Sequence, residues 1–468
     1  MKKSSKRYII PLMVVAAAST VSVSSCSGTR NLTAPQVDMP STFNRSDYVD
    51  SLSEGDKVWW KYYNDTTLCK LIDRVLANNY DLRIALSRVE QARQLYGVSK
   101  SEMLPQLSGE LYGQRETTDY HDAASTRSDE FGLKLTAAWE INLWGKQKQT
   151  RDLAHATWLA TEEDRRGVQM TLVAEVATLY YRLKAMWSEL AIVNRTLSAR
   201  EDNMRYTKLR YEYGAVSEVV YRQAMVEYMT AAALVPGIEQ RSSEANNAMA
   251  VLLGEVPGNV YVRGGLETDG AALSSDTLSI GVPSDLLTRR PDLRASQQRL
   301  KAASAAVGVT WADRFPSFRI ALTGGVEDES LANFIRSPYS NTVASLAGPI
   351  FDFGKRKRKY KAAVEGYEQA RLGYESDVIN AFREVSDAIT AYHKICETVK
   401  LRTELRDAAL RYSELANTNY RGGMLAYIDV LDAQQRYLDA RLGLINALRD
   451  RSIAMVNLYK VLGGGWQP

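Results

Sequence analysis

The stretch "FGLKLTAAWEINLWGKQKQ" (131–149) contains both kinds of element from which the chain is built. It first alternates strictly. Phe131, Leu133, Leu135, Ala137, Trp139, Ile141 and Leu143 fall on one side, and Gly132, Lys134, Thr136, Ala138, Glu140 and Asn142 on the other. A period of two describes a strand with one apolar and one polar face. After Gly145 the period changes. Leu172, Val176, Leu179, Leu183, Met186, Leu190, Val193 and Leu197 recur at steps of four and three, a heptad seam. Nothing strongly breaks a helix from 145 to about 210. At about 1.5 Å per residue such a helix is on the order of 100 Å long, far beyond the usual globular length.

The same succession occurs twice. "NNYDLRIALSRVEQARQLYGVSKSEMLPQLS" (78–108) aligns with "RRPDLRASQQRLKAASAAVGVTWADRFPSFR" (289–319), and "INLWGKQKQ" (141–149) with "IFDFGKRKR" (350–358). "YEYGAVSEVVYRQA" (211–224) aligns with "YRGGMLAYIDVLDA" (420–433). The second copy has its own alternation at Phe318, Ile320, Leu322, Gly324 and Val326. It also has its own seam at Val378, Phe382, Val385, Ile389, Tyr392, Cys396 and Val399. The expected organisation is a leader (1–25), an N-terminal segment (26–58), repeat 1 (59–258), a Gly/Ser-rich linker (259–282), repeat 2 (283–465) and a short tail (466–468). Strands are expected at about 105–116, 130–143, 316–327 and 341–353. Polar loops, "ETTDYHDAASTRSDE" and "DESLANFIRSPYS", separate the members of each pair. Return helices are expected from about 216 to 253, kinked or interrupted at Pro236, and from about 426 to 462.

The N-terminus, "MKKSSKRYIIPLMVVAAASTVSVSSC", has a basic start, an apolar stretch too short to span a bilayer, and small residues. That is the layout of a secretory signal. Its last four residues, Val23 to Cys26, resemble a lipobox, which makes Cys26 the expected lipidation site, with Ser27 favouring sorting to the outer membrane. Acyl chains anchor through buried methylenes. Without the leader the chain has 55 basic and 55 acidic residues, so the +4 of the full sequence becomes zero. A neutral exported chain is a poor nucleic-acid binder. That reading holds even though six of the seven residues 355–361 are Lys or Arg.

Four strands with one apolar face cannot close a barrel alone, and open strand edges are intolerable in lipid. If the apolar faces meet lipid, several chains must share one barrel: two would supply eight strands and three would supply twelve, both feasible counts. The alternative is a soluble sandwich with helical arms. At this point the residues resemble a known family, the outer-membrane efflux proteins or TolC-like channels, in their lipoprotein branch. The resemblance rests on "AAWEINLWGK", "PSDLLTRRPDLRA", "RFPSF" and "PIFDFGK", in family order and spacing from "WWKYYNDTTLCKLI" to "LYKVLGG". It implies a mainly α fold with a homotrimeric twelve-stranded transmembrane barrel, continued by a helical tunnel across the periplasm. It also implies partners: an inner-membrane pump, which mainly chooses the cargo, and a periplasmic adaptor docked at the far end.

Asp429 and Asp432 lie three apart early in a helix, hence on one face. The resemblance makes them the pore-closing aspartates and Tyr420 the gating tyrosine. Leu425 stands where the best-known member has a gate arginine. The first-copy counterparts of the aspartates are Val220 and Gln223. By resemblance, the glycine-tipped turns offer Gly214, Val216, Ser217, Gly423 and Leu425 for adaptor docking. Gly145 and Gly354 permit the bend from strand to helix. Lys355, Arg356 and Lys357 after Gly354 mark the lipid boundary, since anionic head groups attract Lys and Arg. His121, His155 and His393 are isolated, and there is no phosphate loop, metal-ligand cluster or nucleophile setting. No enzyme, cofactor or metal role is expected. A protein-secretion conduit and a structural coiled-coil lipoprotein are the competing classes.

Overall fold

The computed structural model describes residues 32–33, 35, 65–121, 123–266 and 286–464. The leader, Cys26 and most of the N-terminal segment and linker lie outside these residues. The chain divides into two compact units, and both long helices contribute to each.

The first unit takes Gln91–Leu159 and Gln298–Leu372, with the residues before 36. It carries one antiparallel sheet of β1 (Gln106–Tyr120), β2 (Ala123–Ile141), β3 (Ser317–Asp328) and β4 (Pro338–Ala347), in the order β1-β2-β3-β4. The register puts Leu133 between Leu111 and Val326, and Ala137 between Leu107 and Leu322. The apolar residues of neighbouring strands therefore share one face. That face is open: Leu111 is 75% exposed and Leu346 is 63% exposed. The other face is knitted together. The Tyr112 hydroxyl donates to Glu130 at 2.8 Å, Lys134 pairs with Glu110 at 2.9 Å, and the Thr136 and Thr323 hydroxyls meet at 3.1 Å. Gly132 makes room for this network, because a Cβ there would lie 2.7 Å from the Tyr112 ring. Polar groups tied to one another on one face and leucines left unpartnered on the other is not the pattern of a soluble sheet, which packs its apolar face on a core. Among the described residues, the outer edges of β1 and β4 have no strand partner.

The strands depart from their expected ends for a physical reason. Residues 116–130, read as a polar loop, continue the β1–β2 ladder, with Thr117 opposite Arg127. Beyond Gly113 and Phe131 both faces are polar and the period-two signal vanishes. Ladder hydrogen bonds are made by the backbone and need no such signal. Cross-strand pairs such as Arg115–Asp129, at 2.5 Å, support the extension. In the second pair β4 starts earlier, at Pro338, and stops at Ala347, leaving 348–354 as a turn.

The second unit takes Gln36–Glu90, Ala160–Gln297 and Gly373–Pro468. Its helices are α1 (Thr66–Asn78), the start of α2 (Tyr80–Ser101), most of α3 (Lys146–Glu212) and α4 (Glu218–Leu252). They continue with the short α5 (Leu286–Arg289), the start of α6 (Pro291–Ala312), most of α7 (Lys355–Arg421) and α8 (Tyr427–Val461). Counterparts match in length: α3 and α7 have 67 residues each, α4 and α8 have 35 each. The seams from Leu172 to Met186 and from Val378 to Cys396 meet in one core, with Val176 and Leu183 at 0% exposure and Val385 and Ile389 at 0% and 2%. Cys396 packs against that core as its seam position requires. Helix α4 continues through Pro236 instead of breaking there. One lost N–H bond is tolerated where Ala231, Ile238 and Ala245 hold the buried face.

The "RRPDLR" segment is a structural turn. Pro291 opens α6, and the buried Arg290 pairs with Asp292 (2.6 Å) and Glu384 (2.7 Å) while donating to the Val461 carbonyl. Burial alone pulls the Arg290 pKa down, but these carboxylate partners leave it raised.

Candidate functional site

Both turns between long helices are built alike. After α3, Gly214 takes φ +72°, its N–H donates to the Tyr211 carbonyl, and the Ala215 N–H reaches back to Arg210. After α7, Gly423 takes φ +73°, its N–H donates to Tyr420, and the Met424 N–H to Asn419. These are left-handed helix ends, for which glycine is the natural residue. Ser217 and Ala426 then sit in extended conformation as the N-caps of α4 and α8. Gly214, Ser217 and Gly423 are exposed, whereas Val216 and Leu425 are half-buried. Leu425 packs with Tyr420 onto Ala416, Val430 and Ala433, so part of its surface is already committed.

The two aspartates have different jobs locally. The Asp429 carboxylate accepts the Ala426 N–H at 3.1 Å and ties down the first turn of α8. The Asp432 carboxylate accepts from Arg436 Nε at 2.7 Å and from the Tyr412 hydroxyl at 3.4 Å. The Arg436 hydrogen bond holds the Asp432 carboxyl below its ordinary range. Tyr420 stacks obliquely on Tyr427, with ring centroids 5.5 Å apart. It lines a cleft of about 690 Å³ together with Val430, Leu431 and Gln434. At about 100° per residue, those α8 positions point away from Asp429 and Asp432. The three residues expected at the gate are thus close in the chain, but Tyr420 faces the cleft and the two aspartates do not.

That cleft is the feature sequence reading missed. Arg195, Arg200, Arg210, Arg421 and Arg441 surround it. Arg200, only 6% exposed, binds the Glu227 carboxylate (3.0 Å), the Glu227 carbonyl (2.9 Å) and Gln435 (2.8 Å), tying α3, α4 and α8 together. No common period links these arginines, and their counterparts in the other copy, such as Glu404 for Arg195 and Glu212 for Arg421, are not basic. Neither periodicity nor the repeat could have shown them.

In the first unit, the strand-to-helix junctions also share a backbone, with Gly145 at φ +78° and Gly354 at φ +77°. The first is closed: Trp144 stacks on Phe315 at 4.8 Å and donates Nε1–H to the Pro316 carbonyl at 2.6 Å. The second is open, with Phe351 and Phe353 74% and 85% exposed, and exposed Lys355 and Lys357 follow. Arg356 is half-buried; it donates to the Asp313 carbonyl and lies 3.9 Å from Asp352. The histidines do not converge. His155 packs among Tyr96 and Trp158, while His121 and His393 are exposed.

Comparison with known proteins agrees with this duplicated architecture. The outer membrane efflux protein family model matches residues 71–255 and 282–464, one match per copy. The chain is 31% identical over 412 residues to the solvent efflux pump outer membrane protein SrpC of Pseudomonas putida, covering 87% of each chain. It is 28% identical over 426 residues to the probable outer membrane lipoprotein SilC of Salmonella typhimurium, covering 88% of each. The open-state structure of the Neisseria gonorrhoeae MtrE outer membrane channel superposes with a TM-score of 0.85 at 26% identity, over 94% of this chain and 98% of that one. With a sheet that exposes its leucines, paired 67-residue helices and a family match to both repeats, the chain belongs to the outer membrane efflux proteins and is an outer-membrane channel of an efflux system.

Proposed function

We propose that three copies close one twelve-stranded barrel and form a passive duct that carries small molecules outward from an inner-membrane pump. The observation that supports this most is the sheet: four strands, an exposed apolar face and two edges without partners. Such edges must be satisfied by another chain in lipid, where an unmatched backbone group costs several kcal/mol, a figure of roughly that order per group. In this reading a periplasmic adaptor docks at the helix tips through Gly214, Val216, Ser217, Gly423 and Leu425. Asp429, Asp432 and Tyr420 form the closed gate, and six carboxylates around the axis favour cations. Cys26 carries the lipid anchor, as the SilC name supports. Gly145, Gly354, Lys355, Arg356 and Lys357 mark the periplasmic edge of the bilayer.

A protein-secretion conduit would share this fold. The solvent-efflux name of the Pseudomonas relative favours small molecules. A structural coiled-coil lipoprotein does not account for the exposed leucines of the sheet. The test is reconstitution of the purified protein in planar bilayers. A trimer that gives discrete, cation-preferring conductance steps supports the reading. A trimer that inserts yet passes no current even with the adaptor supplied or with Asp429→Ala and Asp432→Ala sinks it. Crosslinking from Ser217→Cys to a co-expressed adaptor tests the docking assignment.

A further inference from the structure

We propose that the second strand-to-helix junction is a docking site for a phosphate-bearing anionic lipid of the periplasmic leaflet, built from Lys355 and Lys359 beside the apolar tip of Ile350, Phe351 and Phe353. Three observations converge on it. Ile350, Phe351 and Phe353 are 102%, 74% and 85% exposed, an apolar cluster of a size that folded chains rarely leave in water. The Phe351 and Phe353 rings meet edge to face at 4.6 Å, and Phe353 holds φ +52°, the one positive value outside glycine among the described residues. Such a backbone is costly for an aromatic residue, so holding it to present that ring outward points to a use.

Beside this tip lies a cavity of about 290 Å³ lined by Thr310, Lys355 and Lys359, with Asp313, Asp352, Pro349 and Arg356. Its carboxylates are occupied. Asp313 pairs with Lys146 at 2.7 Å, and Asp352 accepts the N–H groups of Gly354 (3.0 Å) and Arg356 (3.1 Å). Arg356 is spent on the Asp313 carbonyl. Lys355 and Lys359, one helical turn apart, form no ion pair among the described residues. Basic residues at a helix start oppose its dipole, and Asp352 already caps the first N–H groups, so local helix energetics do not account for them. A phosphate headgroup does, by charge. Its acyl chains would run along the tip onto the open sheet face, which ends at Leu346, four residues before Ile350. The sister junction is arranged differently: Trp144 is pinned to Phe315 and Pro316, Asn142 and Thr150 stand in place of Phe351 and Lys359, and Lys146, the counterpart of Lys355, is paired with Asp313.

The inference rests on the channel reading, and the test separates the two. The trimer is taken from nanodiscs holding equal phosphatidylglycerol and phosphatidylcholine, and retained lipid is read by native mass spectrometry. Phosphatidylglycerol should be enriched about fivefold or more. Lys355→Gln with Lys359→Gln should bring the ratio near one. Phe351→Ser with Phe353→Gly should lower total retained lipid. An unchanged ratio in the lysine variant overturns the site, as does displacement of the lipid by millimolar inorganic phosphate. A photocrosslinker at 351 that captures a second copy of the chain in place of lipid also overturns it. If the native protein conducts while the lysine variant keeps its lipid ratio, the site alone fails. If the protein does not conduct even with the adaptor supplied or with Asp429→Ala and Asp432→Ala, the channel reading fails.

Discussion

The turns at 213–217 and 422–426 have the same backbone and different side chains. Their glycines differ by 1° in φ, and their back-bonds connect equivalent positions. Yet the helix that follows carries Val220 and Gln223 in the first copy and Asp429 and Asp432 in the second. The junctions repeat the lesson, with Trp144 held against Phe315 and Pro316 and Phe353 turned out. Duplication therefore preserves what the backbone needs, namely period, glycine position and helix length. Exposed side chains carry no such constraint and are where the copies diverge in chemistry.

The strongest challenge to that view is in the core, where the copies ought to behave alike. Val176→Ala and Val385→Ala, at equivalent seam positions with no exposure, should each cost about 1.5–3 kcal/mol. Urea unfolding of the detergent-solubilised protein measures this, and a large loss from only one would break the equivalence. Next come the turns. In Gly214→Ala and Gly423→Ala the added Cβ meets no atom within 4 Å, so the penalty is purely that of the left-handed backbone, about 1–2 kcal/mol for each.

The side-chain difference should show in the current. Neutralising the pair with Asp429→Asn and Asp432→Asn should lower the cation-to-anion permeability ratio by about threefold or more, read as reversal potential in a salt gradient. Grafting Val220→Asp and Gln223→Asp onto the first copy should raise it. The pH dependence has a definite sign. Because the Arg436 hydrogen bond depresses the Asp432 pKa, its charge and that contact persist below the ordinary carboxylate range of about 3.9. They are lost only as pH falls through the lowered value. Arg436→Gln should move the loss of cation preference to higher pH. The smallest effect concerns capping. Asp429→Ala removes the bond to the Ala426 N–H and should cost about 0.5–1 kcal/mol. Ser217→Ala should cost almost nothing, since its hydroxyl makes no cap bond. Hydrogen exchange at the start of α8 and α4 distinguishes them.

Much of this molecule is legible without coordinates because it is long and periodic. The seam through Leu183 names a buried face, and the alternation from Phe131 to Ile141 names a strand. The repeat predicts each element twice. Of the two outcomes expected at Pro236, a kink or an interruption, the interruption does not occur, because burial of Ala231 and Ile238 on the same helix outweighs one lost N–H bond. The hairpin beyond Gly113 was hidden because its ladder bonds leave no mark on side-chain pattern.

The sequence by itself determined the order of elements, the period of each and the positions where glycine must turn the chain. These follow from local sterics and from hydrophobic spacing, which act between near neighbours. Only the tertiary structure decided that Tyr420 packs against Tyr427 and that five arginines share one cleft. It also decided that one junction holds Trp144 against Phe315 and Pro316 while its sister leaves Phe351 and Phe353 bare. Those are contacts between segments up to two hundred residues apart. They depend on where packed helices and paired strands bring side chains together, and no period in the sequence encodes that.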